Sequence, residues 1–524
     1  MNNLFQFTDL IAILPQIILI TGALLILFCQ IVLPRGRVDA AVFISGVSAI
    51  LALAISLFGL ESSVLESIFG GAASSIKYPG FLDEITRLTK IYAFSGHTFW
   101  NPFASIYSFA ILCCLTFVIL MAPKILKELD LNLSEAYQMM LYVGAGLLFF
   151  ISANDLMTIF ISLELSSLPL FVLAAWDRKS KSSNEAGIKY FLLGVFSAAF
   201  FLLGTAFLYG ATGTMNLLDI SALVNENSKM TSETISMVIG GILLIMVGIG
   251  FKVAVFPFHA WVPDVYEGSI TIVTALMGSL VKIGAVAVFF KIMLLVAKPF
   301  AQYLMPAVVI FSVLSMFYGN YTALLQENIK RMFAFSSIAH AGYMASMFYI
   351  PDTSKEGYMI HPETSAALFF YVFGYALTTV LVFGTIAYLE KDKPVTFESL
   401  KGLSKTNPIS AFLLALSALS FAGIPPMIGF FGKFYILRVL LKSDQVFLAL
   451  MVTINSLIGI YYYARVLFYT YWDFDKEEGT LKTKAFRSAG SWASGIILSL
   501  AVLILGFLSD PIFRQALSAS YSFR

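Results

Sequence analysis

Apolar runs of membrane-crossing length recur along the whole chain, and they limit what it can fold into. Ile11 to Leu33 carries no charged residue, and at 1.5 Å per helical residue such a run crosses about 30 Å of hydrocarbon. Hydrocarbon offers no hydrogen bonds, so each backbone amide must find its partner within its own segment, which makes these runs helices. About fourteen of them lie near residues 11–33, 40–60, 102–122, 136–152, 155–176, 188–210, 236–258, 269–297, 303–321, 332–350, 364–390, 408–440 (interrupted), 446–470 and 489–509. The expected fold class is therefore all-α integral membrane, with about fourteen transmembrane helices.

Composition agrees with that reading. Of 524 residues, 59% are hydrophobic and 12% charged, whereas soluble domains carry about 25% charged residues. A net charge of +2 gives no case for nucleic acid or for a strongly charged soluble partner. Cys29, Cys113 and Cys114 sit in apolar runs without metal-ligand spacing. That argues against an iron–sulfur cluster, a zinc site or a disulfide framework, so neither cofactor nor metal is expected in this chain. The first run lacks a basic leader and a small-residue cleavage site, and reads as a retained helix rather than a signal peptide.

Lysine and arginine gather in alternate connections. They include Arg35 and Arg37, Lys124 and Lys127, Arg178 to Lys181, Lys330 and Arg331, Lys391 to Lys405, and Lys476 to Arg487. The positive-inside rule puts these loops on the inner side and both termini on the outer side. Two polar segments stand apart. Residues 61–101 form a long outer loop in which Leu82 to Phe94 is weakly amphipathic and is expected to be an interfacial helix. Residues 471–488, with Asp473, Asp475, Glu477 and Glu478 among basic residues, form an inner loop. Both read as solvated connectors, with docking surfaces as the alternative.

Ionisable groups inside the apolar runs cost about 2.5 kcal/mol or more each and usually mark function. Glu164 lies nine residues after Asp155, hence about 13 Å into its helix, among the small residues Ser162, Ser166 and Ser167. Lys252 follows Gly248-x-Gly250 and precedes Pro257 by five positions. Lys282 sits near the middle of a run broken only by itself and Lys291. Lys433 follows the breaker Gly423-Ile424-Pro425-Pro426-Met427-Ile428-Gly429, and His340 stands in the tenth run near Gly342. Lys189 and Lys291 are nearer helix ends, where lysines snorkel to the interface. For each lysine the plain alternative is a structural ion pair or a snorkelling side chain, for Glu164 a fixed lysine partner, and for His340 a local hydrogen bond. So many lysines with so few acids cannot all be neutralised by pairing, which makes Lys252, Lys282 and Lys433 candidates to exchange protons.

Pro257 interrupts the seventh run just before His259-Ala260-Trp261-Val262-Pro263-Asp264, and Pro425 and Pro426 interrupt the twelfth. Corresponding breaks in two halves point to a transporter site, because the freed backbone ends face a cavity. Breaks five helices apart suggest two inverted five-helix repeats, helices 4–8 and 9–13, with helices 7 and 12 broken. The domains expected are 1–135 (helices 1–3 and the long outer loop), 136–297 and 303–470 (the two repeats), and 471–524 (inner loop and last helix).

The strings Phe251-Lys252-Val253-Ala254-Val255-Phe256-Pro257-Phe258-His259-Ala260-Trp261-Val262-Pro263-Asp264, Ser336-Ser337-Ile338-Ala339-His340-Ala341-Gly342-Tyr343 and Gly423-Ile424-Pro425-Pro426 resemble the antiporter-like membrane subunits of respiratory complex I. The resemblance runs from about residue 100 to 470. Within that family, Leu163-Glu164-Leu165-Ser166-Ser167-Leu168-Pro169-Leu170 and Gly429-Phe430-Phe431-Gly432-Lys433-Phe434-Tyr435 are most similar to subunit N of NADH–quinone oxidoreductase, called subunit 2 in organellar and cyanobacterial versions. The sibling subunit M usually carries glutamate where Lys433 stands.

The resemblance implies that Glu164 and Lys252 form the family's charged pair, with Lys189 tuning it. It also makes Lys282 the central relay lysine and Lys433 the residue of the second half-channel. It implies a proton-translocating subunit fed by NADH or ferredoxin, packed among other membrane subunits, with iron–sulfur clusters, flavin and quinone in partner chains. The location implied is a bacterial inner membrane, or a thylakoid or organelle inner membrane. The rival readings are a multisubunit sodium/proton antiporter subunit, which shares the motifs, and a purely structural membrane subunit.

Overall fold

The computed structural model describes residues 7–33, 37–58, 91–225, 230–348, 361, 363–390, 394–472 and 489–520. Each expected apolar run carries helix there. After the short helix Phe7–Ala12, the long helices begin with α1 (Leu14–Val32), α2 (Arg37–Phe58), α3 (Pro102–Glu128), α4 (Ser134–Ser152), α5 (Leu156–Ala174) and α6 (Lys181–Thr212). The seventh run is broken into α7 (Ser232–Val253) and α8 (Val262–Gly268), and α9 (Thr271–Ile292), α10 (Ala301–Leu324), α11 (Ile329–Ala345) and α12 (Glu363–Leu389) follow. The twelfth is broken into α13 (Pro408–Ala422) and α14 (Ile428–Lys442), and α15 (Val446–Tyr471), α16 (Ala489–Phe507) and α17 (Ser509–Ser520) complete the chain. Ten stretches are long and apolar enough to cross a membrane by themselves, counting Thr271–Leu324 as one, among the described residues.

Polar residues start the helices. Asn101, Asp155, Ser180, Thr231, Asn328 and Asn407 each accept a hydrogen bond from a backbone N–H of the first turn, supplying partners that the helix cannot provide itself. Every residue of α9 is buried, as is every residue of α12 from Thr364 to Leu389. Helices apolar all round belong in the interior, and α12 packs against α3, α9, α13, α14, α16 and α17. Peripheral helices instead expose apolar side chains, such as Phe196 on α6 and Leu457 on α15, as a lipid-facing surface must.

The two breaks share a backbone plan. α7 ends at Val253 and Ala254 takes the left-handed conformation (φ 68°); α13 ends at Ala422 and Gly423 does the same (φ 82°). A proline, Pro257 or Pro426, stands three residues beyond each. The residues that open α5 and α11 also correspond: Asp155 forms a bridge with Asn216, and Asn328 one with Thr396, each reaching the connection before a broken helix.

One expectation is corrected. Of the anticipated interfacial helix over 82–94, residues 82–90 lie outside the described residues, and Ile91–Ala93 is instead a strand, β1, antiparallel to β2 (Thr98–Trp100). Phe94, Ser95 and Gly96 all take positive φ and reverse the chain, while the β-branched and aromatic residues either side favour strand. The inner loop 473–488 also lies outside the described residues.

Close packing at the second break depends on glycine. A Cβ on Gly429 would collide with the Ser420 carbonyl oxygen, whereas one on Gly46 would meet nothing. Gly429→Ala should therefore destabilise the protein by about 1–3 kcal/mol, read as a lower melting temperature in detergent, and Gly46→Ala should not. Equal melting of the two variants would refute this packing.

Candidate functional site

A broken helix leaves carbonyls without partners, and the site is built around how they are closed. At the first break the Trp261 indole Nε1–H donates to the Phe251 carbonyl at 3.0 Å. Lys252 is left free to point elsewhere. It is buried, and its Nζ donates to Ser167 Oγ on α5 at 2.8 Å. The ammonium lies 5.3, 5.6 and 5.5 Å from the ring centres of Phe171, Tyr190 and Phe251, within cation–π range. Glu164, half-buried, feels the Lys252 charge through space but forms no ion pair with it. Lys252 is thus hydrogen-bonded to the Ser167 hydroxyl, with the Glu164 carboxyl acting on it from a distance.

The second group runs sideways through the centre. Lys282 on α9 donates to both the carbonyl and Oγ of Ser337 on α11, at 2.6 Å each, and lies 5.0 Å from the Tyr375 ring centre. One turn further along α11, His340 pairs through Nδ1 with the Tyr371 hydroxyl (2.6 Å) and through Nε2 with the Tyr463 hydroxyl (3.0 Å). His340 is exposed to the charges of both Lys282 and Lys433. Lys433 on α14 reaches back across the second break and donates to the freed carbonyls of Phe421 (2.9 Å) and Ala422 (3.1 Å). Its Nζ lies 5.6 Å from the centre of the Tyr343 ring, which in turn stands edge-on to His340.

Lys189 belongs to a different environment. Its side chain is 40% exposed and bridges Glu185 and Asp264, each at 2.6 Å. Asp264 also pairs with Arg331 (2.9 Å), and Arg331 with Glu267 (2.7 Å). Lys330 donates to the Ser269 carbonyl at 2.9 Å and approaches Glu390 at 3.4 Å. A cavity of about 780 Å³ opens here, lined by Glu128, Asp177, Glu185, Asp264, Glu267 and Glu390 together with Lys330 and Arg331. Its residues come from the connections expected on the inner side. Lys189 thus pairs with two residues that line this polar cavity, and its neighbour Tyr190 faces Lys252.

Lys291 is a correction. It was expected to snorkel, but its residue is 2% exposed and its Nζ donates to the Ala153 carbonyl at 2.5 Å. α9 has no lipid-facing side along which a lysine could reach an interface. Sequence reasoning also missed Ser337, Tyr371 and Tyr463, and took Ser167 only as a small packing residue. Serines and tyrosines carry no signal within apolar runs, and only the fold brings them to the ionisable groups. Among the described residues no three of His, Cys, Asp and Glu group as a metal site.

Buried lysines on broken, mutually packed membrane helices define an antiporter-like integral membrane subunit. The family described as NADH:quinone oxidoreductase/Mrp antiporter, TM, matches residues 153–459. NADH-quinone oxidoreductase subunit N of Bdellovibrio bacteriovorus is 32% identical over 523 residues, covering 98% of each chain. A chain of respiratory complex I from Thermus thermophilus superposes with a TM-score of 0.74 at 27% identity, over 95% of this chain and 98% of that one. One from the Mrp complex of Dietzia sp. DQ12-45-1b shares the fold, with a TM-score of 0.76 at 18% identity over 98% of this chain and 96% of that one. The chain belongs to the NADH:quinone oxidoreductase/Mrp antiporter family, in its subunit N branch.

The ion-pair cluster ties α6, α8 and α11 together. Arg331→Met leaves Asp264 and Glu267 without that partner and should cost about 1–3 kcal/mol of stability. Arg514→Ala, which breaks an exposed i,i+4 pair with Asp510, should cost under about 1 kcal/mol. Thermal unfolding in detergent compares them, and a larger loss for Arg514→Ala would contradict the assignment.

Proposed function

We propose that this chain moves protons across the membrane as subunit N of a complex I-type NADH (or ferredoxin)–quinone oxidoreductase. The observation that carries the reading is the lateral series of protonatable groups: Lys252 on Ser167, Lys282 on Ser337, His340 one turn away, and Lys433 beyond it. In this reading the chain has fourteen crossings with both termini outside, in a bacterial inner membrane or an organelle counterpart. Residues 136–297 and 303–470 form two inverted repeats. The matching left-handed residues Ala254 and Gly423 and the bridges at Asp155 and Asn328 favour that division.

The acid-lined cavity is the inner mouth, where Lys189 and Asp264 receive protons for Lys252. A charge change arriving from a neighbouring subunit alters the field of Glu164 on Lys252. Its proton then passes by Lys282 and His340 to Lys433. Expelling one charge against 100 mV costs about 2.3 kcal/mol, which a change of about fiftyfold in proton affinity supplies. Redox chemistry, with its iron–sulfur clusters, flavin and quinone, belongs to partner subunits, and the isolated chain has no catalytic activity of its own.

Two experiments test the proposal. Gentle purification of the tagged chain from its native membrane should bring iron–sulfur subunits with it in stoichiometric amounts. Small membrane partners with no redox protein would favour the sodium/proton antiporter reading. In the assembled complex, Lys252→Ala and Lys252→Arg should both lower the protons moved per electron, because arginine keeps the charge but does not release protons. Unchanged proton yield and turnover in Lys252→Ala would sink the scheme.

A further inference from the structure

Lys291 shares α9 with Lys282 and lies nine residues beyond it, about 13 Å along the axis, away from the acidic cavity. Its ammonium has one hydrogen-bond acceptor, the Ala153 carbonyl, and among the described residues it forms no ion pair. Capping a carbonyl needs only a neutral donor, such as the indole that serves Phe251. A full charge at this depth calls for a further reason.

What surrounds Ala153 supplies one. Ala153, Asn154 and Asp155 form the turn between α4 and α5, on the face opposite the ion-pair cluster. Asn154 is buried and donates from Nδ2 to the Gly96 carbonyl and to Asn216 Oδ1, both at 3.3 Å, while its own Oδ1 is buried without a hydrogen-bond partner. Asp155 Oδ1 caps α5, accepting from the N–H groups of Met157 and Thr158. Its Oδ2 lies 3.8 Å from His97 Nδ1, and the His97 side chain is 58% exposed. From a fully buried lysine to an exposed imidazole, polar groups follow one another through a single turn and the β1–β2 hairpin over it.

We propose that Lys291 is a further proton-carrying residue, which takes protons from Lys282 and delivers them to the outer face through the turn at Asn154, to Asp155 and His97. The proton leaves the Lys282 ammonium, which becomes a neutral amine, is carried over the intervening distance by water, and binds the neutral amine of Lys291. It then passes, by water at the Asn154 turn, to the Asp155 carboxylate and from there to the His97 imidazole 3.8 Å away and on to bulk solvent, restoring neutral Lys291. The first repeat thereby has its own release route, separate from Lys433. This rests on the proton-translocating reading above.

The test uses the assembled complex in sealed vesicles, with Lys291→Arg, Lys291→Met and Lys282→Met compared for protons moved per electron. Arginine still donates to the Ala153 carbonyl, so a purely structural cap is rescued by Lys291→Arg; a proton carrier is not. The expected result is an equal fall in proton yield in Lys291→Arg and Lys291→Met, with electron transfer retained. Wild-type yield in Lys291→Arg overturns the proposal, and if Lys282→Met still loses pumping, the broader reading stands. Wild-type yield in Lys282→Met would instead bring down that reading itself. Should neither Lys291 variant assemble, His97→Gln, at an exposed site, decides: proton release at least twofold slower supports the route, and an unchanged rate overturns it.

Discussion

A helix broken within a bilayer must close its own loose carbonyls, because lipid cannot. The rest of this structure follows from how that is done twice. At the first break a neutral donor, Trp261, serves the Phe251 carbonyl, and the adjacent lysine turns away to a serine on α5. At the second break a lysine from beyond the break, Lys433, serves the Phe421 and Ala422 carbonyls itself. The backbone plan is the same at both, yet the charged group sits on opposite sides of the interruption. In the first half the buried lysine takes no part in closing the backbone; in the second half it closes the backbone itself.

The oxygens that hold Lys252, Lys282, Lys291 and Lys433 share one property. Ser167 Oγ for Lys252, the Ser337 carbonyl and Oγ for Lys282, Ala153 O for Lys291 and the two carbonyls for Lys433 are all uncharged. A neutral acceptor takes a hydrogen bond from an amine as well as from an ammonium, so losing the proton leaves no buried carboxylate unpaired. Lys189 is held by carboxylates instead, and Lys330 by the Ser269 carbonyl with the Glu390 carboxylate 3.4 Å away, both beside the polar cavity. There a fixed charge orders the mouth and ties helices together. Charge pairing at the edge and neutral partners in the interior divide the lysines into two kinds of work.

The helices, the two interruptions and the ionisable groups inside them were legible in the sequence, because apolar length, proline and buried charge are local signals. Partners were not. Nothing near Lys282 in the sequence points to Ser337, nor anything near His340 to Tyr463, since these contacts join α9 to α11 and α11 to α15. Lys291 was misread for a related reason. Its place near a helix end suggested an interface within reach, but the surrounding helices enclose α9 on every side. The hairpin β1–β2 was missed because a weak helical periodicity lost to a reversal at Phe94 to Gly96 that periodicity does not register.

The family name spans a redox-driven pump and a cation antiporter, and the fold is common to both kinds of complex. The distribution of charge bears on which ion could use the buried series. A sodium ion needs a path lined by oxygens, with carboxylates to offset its charge, and it is repelled by every ammonium it meets. Along the buried series from Lys252 to Lys433 the basic groups are lysines and a histidine, the one acid near it is the half-buried Glu164, and a group of acids lines the polar cavity. In the proposed relay a proton meets no such barrier, because it becomes the charge on each lysine in turn. The line of basic groups that would bar a metal cation is thus the route that a proton can follow.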